Sequence, residues 1–463
     1  MRTAGLAAAA VLLLPTLGRS AGATFQGLEA SAPRPPNIVL VLADDLGYAD
    51  LGCQGAADVK TPHIDALAAR GVRCTAGYVT APQCSPSRAG LLSGRYQQRF
   101  GHEGNPNFPL MLMGGGRTLA DRLKAAGYAT GHFGKWHLGA EGAAPAAGSA
   151  DRQHPLQHGF DESFGYFEYA AAARRGSDIA PSPHARDDRV FGRKAADFVR
   201  RHAGQPFFLY LAFHAPHFQQ ADFGGYRQRF PDAPPGRAGV LSVMAQQDDA
   251  VGLLQTALRD GGLETNTLVF FLSDNGGTRT PDTPADTKHF NGSLNTPFSG
   301  GKGTALEGGI RVPFLVQWPG HLPAGRTYDR PVSSLDVLPT ALAAANLAPP
   351  AGAALDGVNL LPFLGGKDAA DPHEVLFWRW RAEQAVRMGD WKLVRGREQK
   401  PWRLIDLRRD PKEEHDLAAE HPDRAKALLA CFDQWAAQLP PVGPSFKDTT
   451  EGDEADAGKE PAP

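Results

Sequence analysis

Cysteine is scarce in this chain: four among 463 residues, Cys53, Cys74, Cys84 and Cys431. With Cys84 set aside for reasons given below, three remain, so at most one disulfide can form. Cys53 with Cys74 is the pair nearest in sequence. Net charge is almost absent: 48 Lys and Arg against 50 Asp and Glu leave −2. No basic field favours nucleic acid, and an acidic substrate requires a local cationic pocket instead. Beyond the N-terminus no apolar run is long enough to span a bilayer, and no internal repeat is evident.

What is present is ordinary globular composition, 42% hydrophobic and 21% charged. The length suggests two or three domains of roughly 150 residues, with α/β domains often longer. The N-terminus, "MRTAGLAAAAVLLLPTLGRSAGATF", has a basic Arg2, an apolar stretch from Leu6 to Leu17 broken by Pro15, and small residues at Ala21-Gly22-Ala23. It reads as a secretory signal peptide over 1–23, cleaved near Ala23, which predicts a periplasmic or secreted protein; an N-terminal anchor or an Ala-rich tail is the alternative.

Short buried strands alternate with helices along the chain. "NIVLVLADD" (37–45), "PFFLYLAFHAPH" (206–217), "TLVFFLSDNGG" (267–277) and "RVPFLVQWP" (311–319) read as strands. Helices are expected over 61–71, with Thr61 as cap and Pro62 at the first position, over 117–130, with Thr118 as cap and Gly127 as stop, and near 187–202 and 240–259. This order predicts an α/β fold with a large, mostly parallel sheet sandwiched by helices, over 34–365. Residues 366–445 read as a small α+β subdomain with an antiparallel sheet and a helix near 422–437, and the acidic stretch 446–463 as a disordered tail. Ligands in parallel sheets bind at the carboxyl ends of strands. Asp44 and Asp45, His214 and His217, and Asp274 and Asn275 fall there.

The stretch "APQCSPSRAG" (81–90) places Cys84 beside a helix start. Ser85 is a good N-cap, Pro86 suits the first turn, and Gly94 can end the helix. Backbone N–H groups there favour an anion, and Arg88 can reach back from one turn on. An inert buried cysteine is the bland alternative. Asp44, Asp45, Asp274 and Asn275 are hard oxygen donors, which suit Ca²⁺ or Mg²⁺ rather than Zn²⁺; a helix cap or turn is the plainer role of any one of them. Lys135 and His137 alternate in "GKWHLG" and would share a face of an extended segment.

"CSPSR" followed by "AGLLSGRY" resembles the signature of the formylglycine-dependent sulfatases of the alkaline-phosphatase-like superfamily. "VLADDLGYADLGCQG", "GYATGHFGKWHLG", "HPLQHGFDESFGY", "PFFLYLAFHAPHF", "SDNGG", "GGKGTALEGGIRVPFLVQWPG" and "SSLDVLPT" stand in the family's order from residue 37 to about 340. The resemblance implies a sulfuric ester hydrolase whose Cys84 is converted to Cα-formylglycine by a formylglycine-generating enzyme. It implies one divalent ion, Ca²⁺ ahead of Mg²⁺, held by Asp44, Asp45, Asp274, Asn275 and the modified position 84. It implies that Arg88 and Lys135 contact the sulfate, that His137 acts on the formylglycine hydroxyl, and that His217 and Lys302 serve the leaving oxygen. His214, three residues from His217, competes for that last role. Glycines around Lys302 in "GGKGT" are read as clearing bulk around a ligand.

Some members carry a Ser near the sulfate after the "GFD…FGY" segment; here none occurs until Ser177, and Tyr166, Glu168 or Tyr169 takes the mouth. The overall likeness is to bacterial sulfatases of arylsulfatase or N-acetylgalactosamine-6-sulfatase-like type, which points to sulfated small molecules or glycans. A phosphonate or phosphodiester hydrolase of the same superfamily, and a catalytically silent anion- or glycan-binding protein with unmodified Cys84, are the rival readings.

Overall fold

Asn37–Asp44, buried along its whole length, lies at the centre of an eight-stranded sheet in the computed structural model of the chain. The structure describes residues 34–104, 118–138, 154–165, 188–217, 225–278, 292–349, 354–396 and 400–441. The expected signal peptide and tail, together with Tyr166, Glu168, Tyr169 and Ser177, lie outside the described residues.

In chain order the strands are β1 (Asn37–Asp44), β2 (Val72–Cys74), β3 (Gly77–Tyr78), β4 (Ala129–Gly134), β5 (Glu162–Phe164), β6 (Phe207–Pro216), β7 (Thr267–Ser273), β8 (Phe314–Gln317), β9 (Arg326–Tyr328), β10 (Val332–Ser333), β11 (Val375–Trp380), β12 (Glu383–Met388), β13 (Trp391–Arg395) and β14 (Arg403–Asp406). The large sheet runs β5-β4-β6-β1-β7-β8-β2-β9. Its pairs are parallel except where β8 meets β7 and β2. β3 and β10 form a separate two-stranded pair.

Strand alternation divides β1 between two cores. Ile38, Leu40 and Leu42 enter one, covered by the helices Cys84–Ser93, Leu119–Ala125 and Val337–Ala344. Val39, Val41 and Ala43 enter the other, covered by Pro62–Ala69, Asp188–Arg201 and Pro235–Asp260. A strand apolar on both faces is what a parallel sheet with two helical layers requires. Each such side chain contributes about 1.5–3 kcal/mol. The same division explains the cysteines. Cys74 faces the first core and Cys53 packs on the second, so the sheet stands between them and both are free thiols.

Thr118 caps its helix as expected, in a reciprocal box with Asp121. Thr61 does not. The Asp248 carboxylate, from a distant helix, accepts the His63 and Ile64 N–H groups at 3.0 and 2.8 Å, and Thr61 Oγ1 turns to Gly52 and Asp65. A tertiary cap leaves no local signature. Among the described residues no helix is long and apolar enough to cross a membrane.

β11–β14 form an antiparallel sheet with Pro422–Ala436 on its outer face, where Val386, Leu393 and Leu404 meet Leu428, Phe432 and Trp435. The inner face, carrying Leu376, Trp378, Ala385, Val394 and Ile405, packs on Tyr78, Val79, Ala305, Ile310 and Val312. The described residues from Pro35 onward belong to one compact unit.

Ahead of β11, the His373 imidazole lies 2.8 and 2.9 Å from the two Asp336 carboxylate oxygens. Burial alone would lower the imidazole, but the carboxylate prevails and holds it above its ordinary value. A histidine raised in the folded state stabilises fully below its unfolded pKa, about 6.5, and loses that contribution as pH rises through the folded value. Melting temperature measured from pH 6 to 9 is expected to fall on this account in the wild type and not in His373→Gln. The difference at the acid end should correspond to about 1.5–3 kcal/mol. Parallel curves would show that the pair is not ionic.

Candidate active site

Four neighbouring strands, β4, β6, β1 and β7, end at one place. Parallel pairing of Ala43 with Ser273 brings Asp44-Asp45 alongside Asp274-Asn275. β6 adds the His214–His217 turn and β4 adds Lys135, whose N–H is held by the Ala212 carbonyl at 2.8 Å. Consecutive side chains on a strand point to opposite faces, yet Asp44 and Asp45 both reach Cys84. The reason is a left-handed φ of 60° at Asp45, a turn a short polar residue tolerates. His137 has the same geometry, with φ of 54°. Lys135 and His137 therefore do not share a strand face as expected: β4 stops at Gly134, and the chain turns them inward afterwards.

The helix carrying "CSPSR" begins at Cys84, two residues earlier than a Ser85 cap implies, and Gln83 is its cap without a side-chain bond. Ser85 instead pairs its hydroxyl with His102 Nε2 at 2.9 Å. Cys84 donates to Asp44 Oδ1 at 3.4 Å and to Asp45 Oδ1 at 3.6 Å. Every carboxylate here has its own cation: Lys135 Nζ lies 2.6 Å from Asp44, Lys302 Nζ 2.8 Å from Asp45, and Arg88 Nη2 2.7 Å from Asp274. Arg88 also donates to the Lys135 carbonyl at 3.0 Å, which locks the two cations together.

His217 Nε2 lies 3.4 Å from Asp45 Oδ2, and ligand atoms of Asp44, Asp45, Cys84 and His217 fall within 4.8 Å of one another. The His214 ring turns instead toward Phe191, centroids 5.7 Å apart, while its N–H is held by Asp188. The structure thus brings His217, and not His214, to the cluster.

The donors fit a divalent cation. Three carboxylates converge, and Asn275 Oδ1 is a buried acceptor with no hydrogen-bond donor, because its amide nitrogen is spent on Asp45 at 2.7 Å and the Gly276 carbonyl at 2.8 Å. An orphaned oxygen facing carboxylates is what a hard cation would satisfy. Asp274 keeps capacity to join it, although Oδ1 accepts the Asp45 N–H and Oδ2 accepts from Arg88.

Burial pushes the Cys84 thiol well above its ordinary range; Lys135 and Lys302 oppose the shift, and Asp274 and Asp44 add to it. A thiol so held is no thiolate nucleophile at neutral pH. Burial, then Lys302 and Lys135, pushes His217 well below its ordinary value. His137 is lowered too, by burial and then by Lys135 and Arg88. Lys135 and Lys302 move the other way: burial would lower them, but Asp44 and Asp45 hold both ammonium groups above their usual range.

Of the glycines around Lys302, Gly300 has a left-handed φ of 76°, where a Cβ would sit 2.6 Å from Thr304 Oγ1, and Gly303, at φ 80°, donates its N–H to the Pro82 carbonyl at 2.7 Å. Asn295 was not anticipated. It takes the Gly277 N–H at 2.9 Å and returns a bond to the Gly277 carbonyl at 3.0 Å, fixing the "DNGG" turn. His102 was missed as well; only its neighbourhood to "GRYQQRF" marks it.

Comparison with known proteins agrees with this geometry. A family model described as Sulfatase matches residues 36–347, and one described as N-sulphoglucosamine sulphohydrolase, C-terminal, matches residues 301–430. The chain is 36% identical over 402 residues to the N-acetylgalactosamine-6-sulfatase of Canis lupus familiaris, spanning 78% of this chain and 72% of that one. It is 37% identical over 410 residues to arylsulfatase A of Bos taurus, spanning 79% and 75%. Among solved structures, Ps i-CgsB in complex with k-i-k-neocarrahexaose aligns with a TM-score of 0.77 at 30% identity, over 92% of this chain and 98% of that one.

A divalent cation added to the stripped protein is expected to raise its melting temperature, since the ion binds only the folded state. At a hundredfold excess over Kd the gain is about 2.7 kcal/mol. Asn275→Ala, which removes the orphaned oxygen, should cut that gain, and Asp45→Asn should abolish it. Identical shifts in all three proteins would place the ion elsewhere.

Proposed function

We propose, from the premise that this chain belongs to the sulfatase family and is a sulfate monoester hydrolase, that it acts on glycan sulfates through a formylglycine formed from Cys84. The observation that carries the proposal is the set of three cations, each paired with a carboxylate, converging around the buried Cys84 at a helix N-terminus. The glycan half rests on the names of the relatives: an N-acetylgalactosamine-6-sulfatase and a protein in complex with k-i-k-neocarrahexaose. Conversion of Cys84 requires a formylglycine-generating enzyme, and the signal-like N-terminus supports export to the periplasm or beyond.

Position 84, once an aldehyde, supplies as its hydrate a hydroxyl that a protonated thiol does not. Asp44, Asp45, Asp274 and Asn275 would hold a divalent ion, Ca²⁺ ahead of Mg²⁺, whose charge offsets that of the sulfuryl oxygens. Without the ion, three carboxylates and three cations cancel. A site holding it would carry two net positive charges, with Lys135 and Lys302 available to an anion. Arg88 stays oriented by the Lys135 carbonyl and Asp274, so its guanidinium is preorganised. Lys135 and Lys302 stay protonated and point fixed charge at the sulfate. His137 is neutral in the free site and ready to take a proton from the hydroxyl at position 84.

His217 is also neutral in the free site, because burial and then the lysine charges oppose its protonation. An entering sulfate ester screens those charges, and His217 then takes up the proton that it passes to the leaving oxygen, next to the Lys302 ammonium. The protonated form dominates at low pH, so turnover of esters with poorly acidic alcohols falls as pH rises through the His217 pKa of the complex.

Peptide mass analysis should find the aldehyde at position 84 in protein made alongside the generating enzyme, and Cys84→Ala should abolish turnover with the fold retained. Fully active protein carrying only the intact thiol would refute the mechanism. His217→Ala should cost about 10²–10⁴-fold on a sulfated sugar, far less on an activated aryl sulfate, and erase the alkaline decline. His214→Ala should show no dependence on the leaving group. A panel of sulfated sugars, with phosphate and phosphonate esters beside it, fixes the substrate class.

A further inference from the structure

The segment that carries Lys302 is gripped from two sides. Toward the site, Lys302 N–H donates to Gly277 O at 3.0 Å and Gly303 N–H to Pro82 O at 2.7 Å. Away from it, three hydrogen bonds run to the C-terminal part of the chain. Ser299 Oγ donates to Lys412 O at 2.5 Å, Ala305 N–H to Glu383 Oε2 at 3.0 Å, and Glu307 N–H to Glu413 Oε2 at 2.6 Å.

Behind these contacts lies a buried charge network. Lys392 Nζ is 2.9 Å from Glu307 Oε1 and 2.9 Å from Glu413 Oε1, with all three residues at most 3% exposed. Glu307 also accepts from the Tyr78 hydroxyl at 2.6 Å, and Arg387 donates to that hydroxyl. Alternation places Glu383, Ala385 and Arg387 of β12 and Lys392 and Val394 of β13 on one face. Arg387 and Lys392 stand directly opposite across the strands. Two like charges there repel, and Glu307, five residues beyond Lys302, is the anion that lets them face inward. Glu413 reaches the network from a left-handed φ of 56°, a conformation costly for a residue other than glycine.

Buried ion networks of this kind are poor devices for stability and better ones for specifying a single geometry. The catalytic steps derived above make no use of it. We propose that Lys392 and Glu383 are positioning residues that fix Lys302 against the leaving oxygen. Lys392 anchors the chain through Glu307, and Glu383 anchors it through the Ala305 amide. This rests on the reading that Lys302 serves that oxygen.

The test compares kcat on 4-nitrophenyl sulfate, whose phenol is acidic, and phenyl sulfate, whose phenol is much less so. A displacement of about 1 Å at a reacting group costs about 10²-fold. Lys392→Met and Glu383→Ala are expected to lose about that much on phenyl sulfate and only a few-fold on 4-nitrophenyl sulfate. Neither should lose more when Lys302→Ala is added. Glu383→Gln, whose carboxamide oxygen still accepts from Ala305, should restore the rate. If Lys392→Met fails to fold, Glu383→Ala, which leaves the charge network complete, carries the test alone. A purely structural role removes active protein and lowers both rates equally; that result, with Lys302→Ala still dependent on the leaving group, overturns the proposal. Lys302→Ala losing equally on both esters overturns the reading of Lys302 itself, and the proposal with it.

Discussion

Repulsion among three buried carboxylates is the constraint around which this molecule is arranged. Two unit charges 4 Å apart interact by about 4 kcal/mol at an effective dielectric of 20. Total stability in a protein is commonly about 5–15 kcal/mol. Asp44, Asp45 and Asp274 therefore cannot share a pocket unless opposite charge is delivered to each. The structure delivers it from three separate elements: Lys135 beyond β4, Arg88 on the "CSPSR" helix, and Lys302 on the glycine-rich segment. Removing one cation leaves its partner buried and unmatched, so the site is assembled as a whole or not at all.

The same balance prepares the site for an anion. Cations already neutralised by carboxylates do not attract water-borne anions strongly. A divalent ion held by those carboxylates would leave the balanced cluster positive. Cys84 sits at the meeting point, protonated and shielded, which does not suit a thiolate nucleophile.

Much of this was legible in the sequence because the relevant signals are local. An apolar run ending in two aspartates marks β1 and its ligand end, and "SDNGG" marks β7 in the same way. Cys84 and Arg88 are one helical turn apart, and β12 and β13 show their period of two. What was not legible depends on residues far apart. Asp248 caps a helix 185 residues upstream, Asn295 fixes a turn 18 residues before it, and His102 holds Ser85. The inward turn at His137 is a backbone conformation without a side-chain signature. The cap of the "CSPSR" helix lies two residues before Ser85, whose hydroxyl goes to His102 and not to the helix end.

β1 pairs with β6 and with β7, and Ala43 meets Ser273 across the second of these seams. The strand that leads into Asp44 and Asp45 is thus made before the partner that brings Asp274, which lies 229 residues beyond Asp45. Loop closure over such spans is entropically costly and slows folding. Until the chain has been synthesised past Lys302, the two leading aspartates lack one of their counter-charges. The cluster can therefore close only after its most distant partner is made, and Asp44 and Asp45 wait for Lys302.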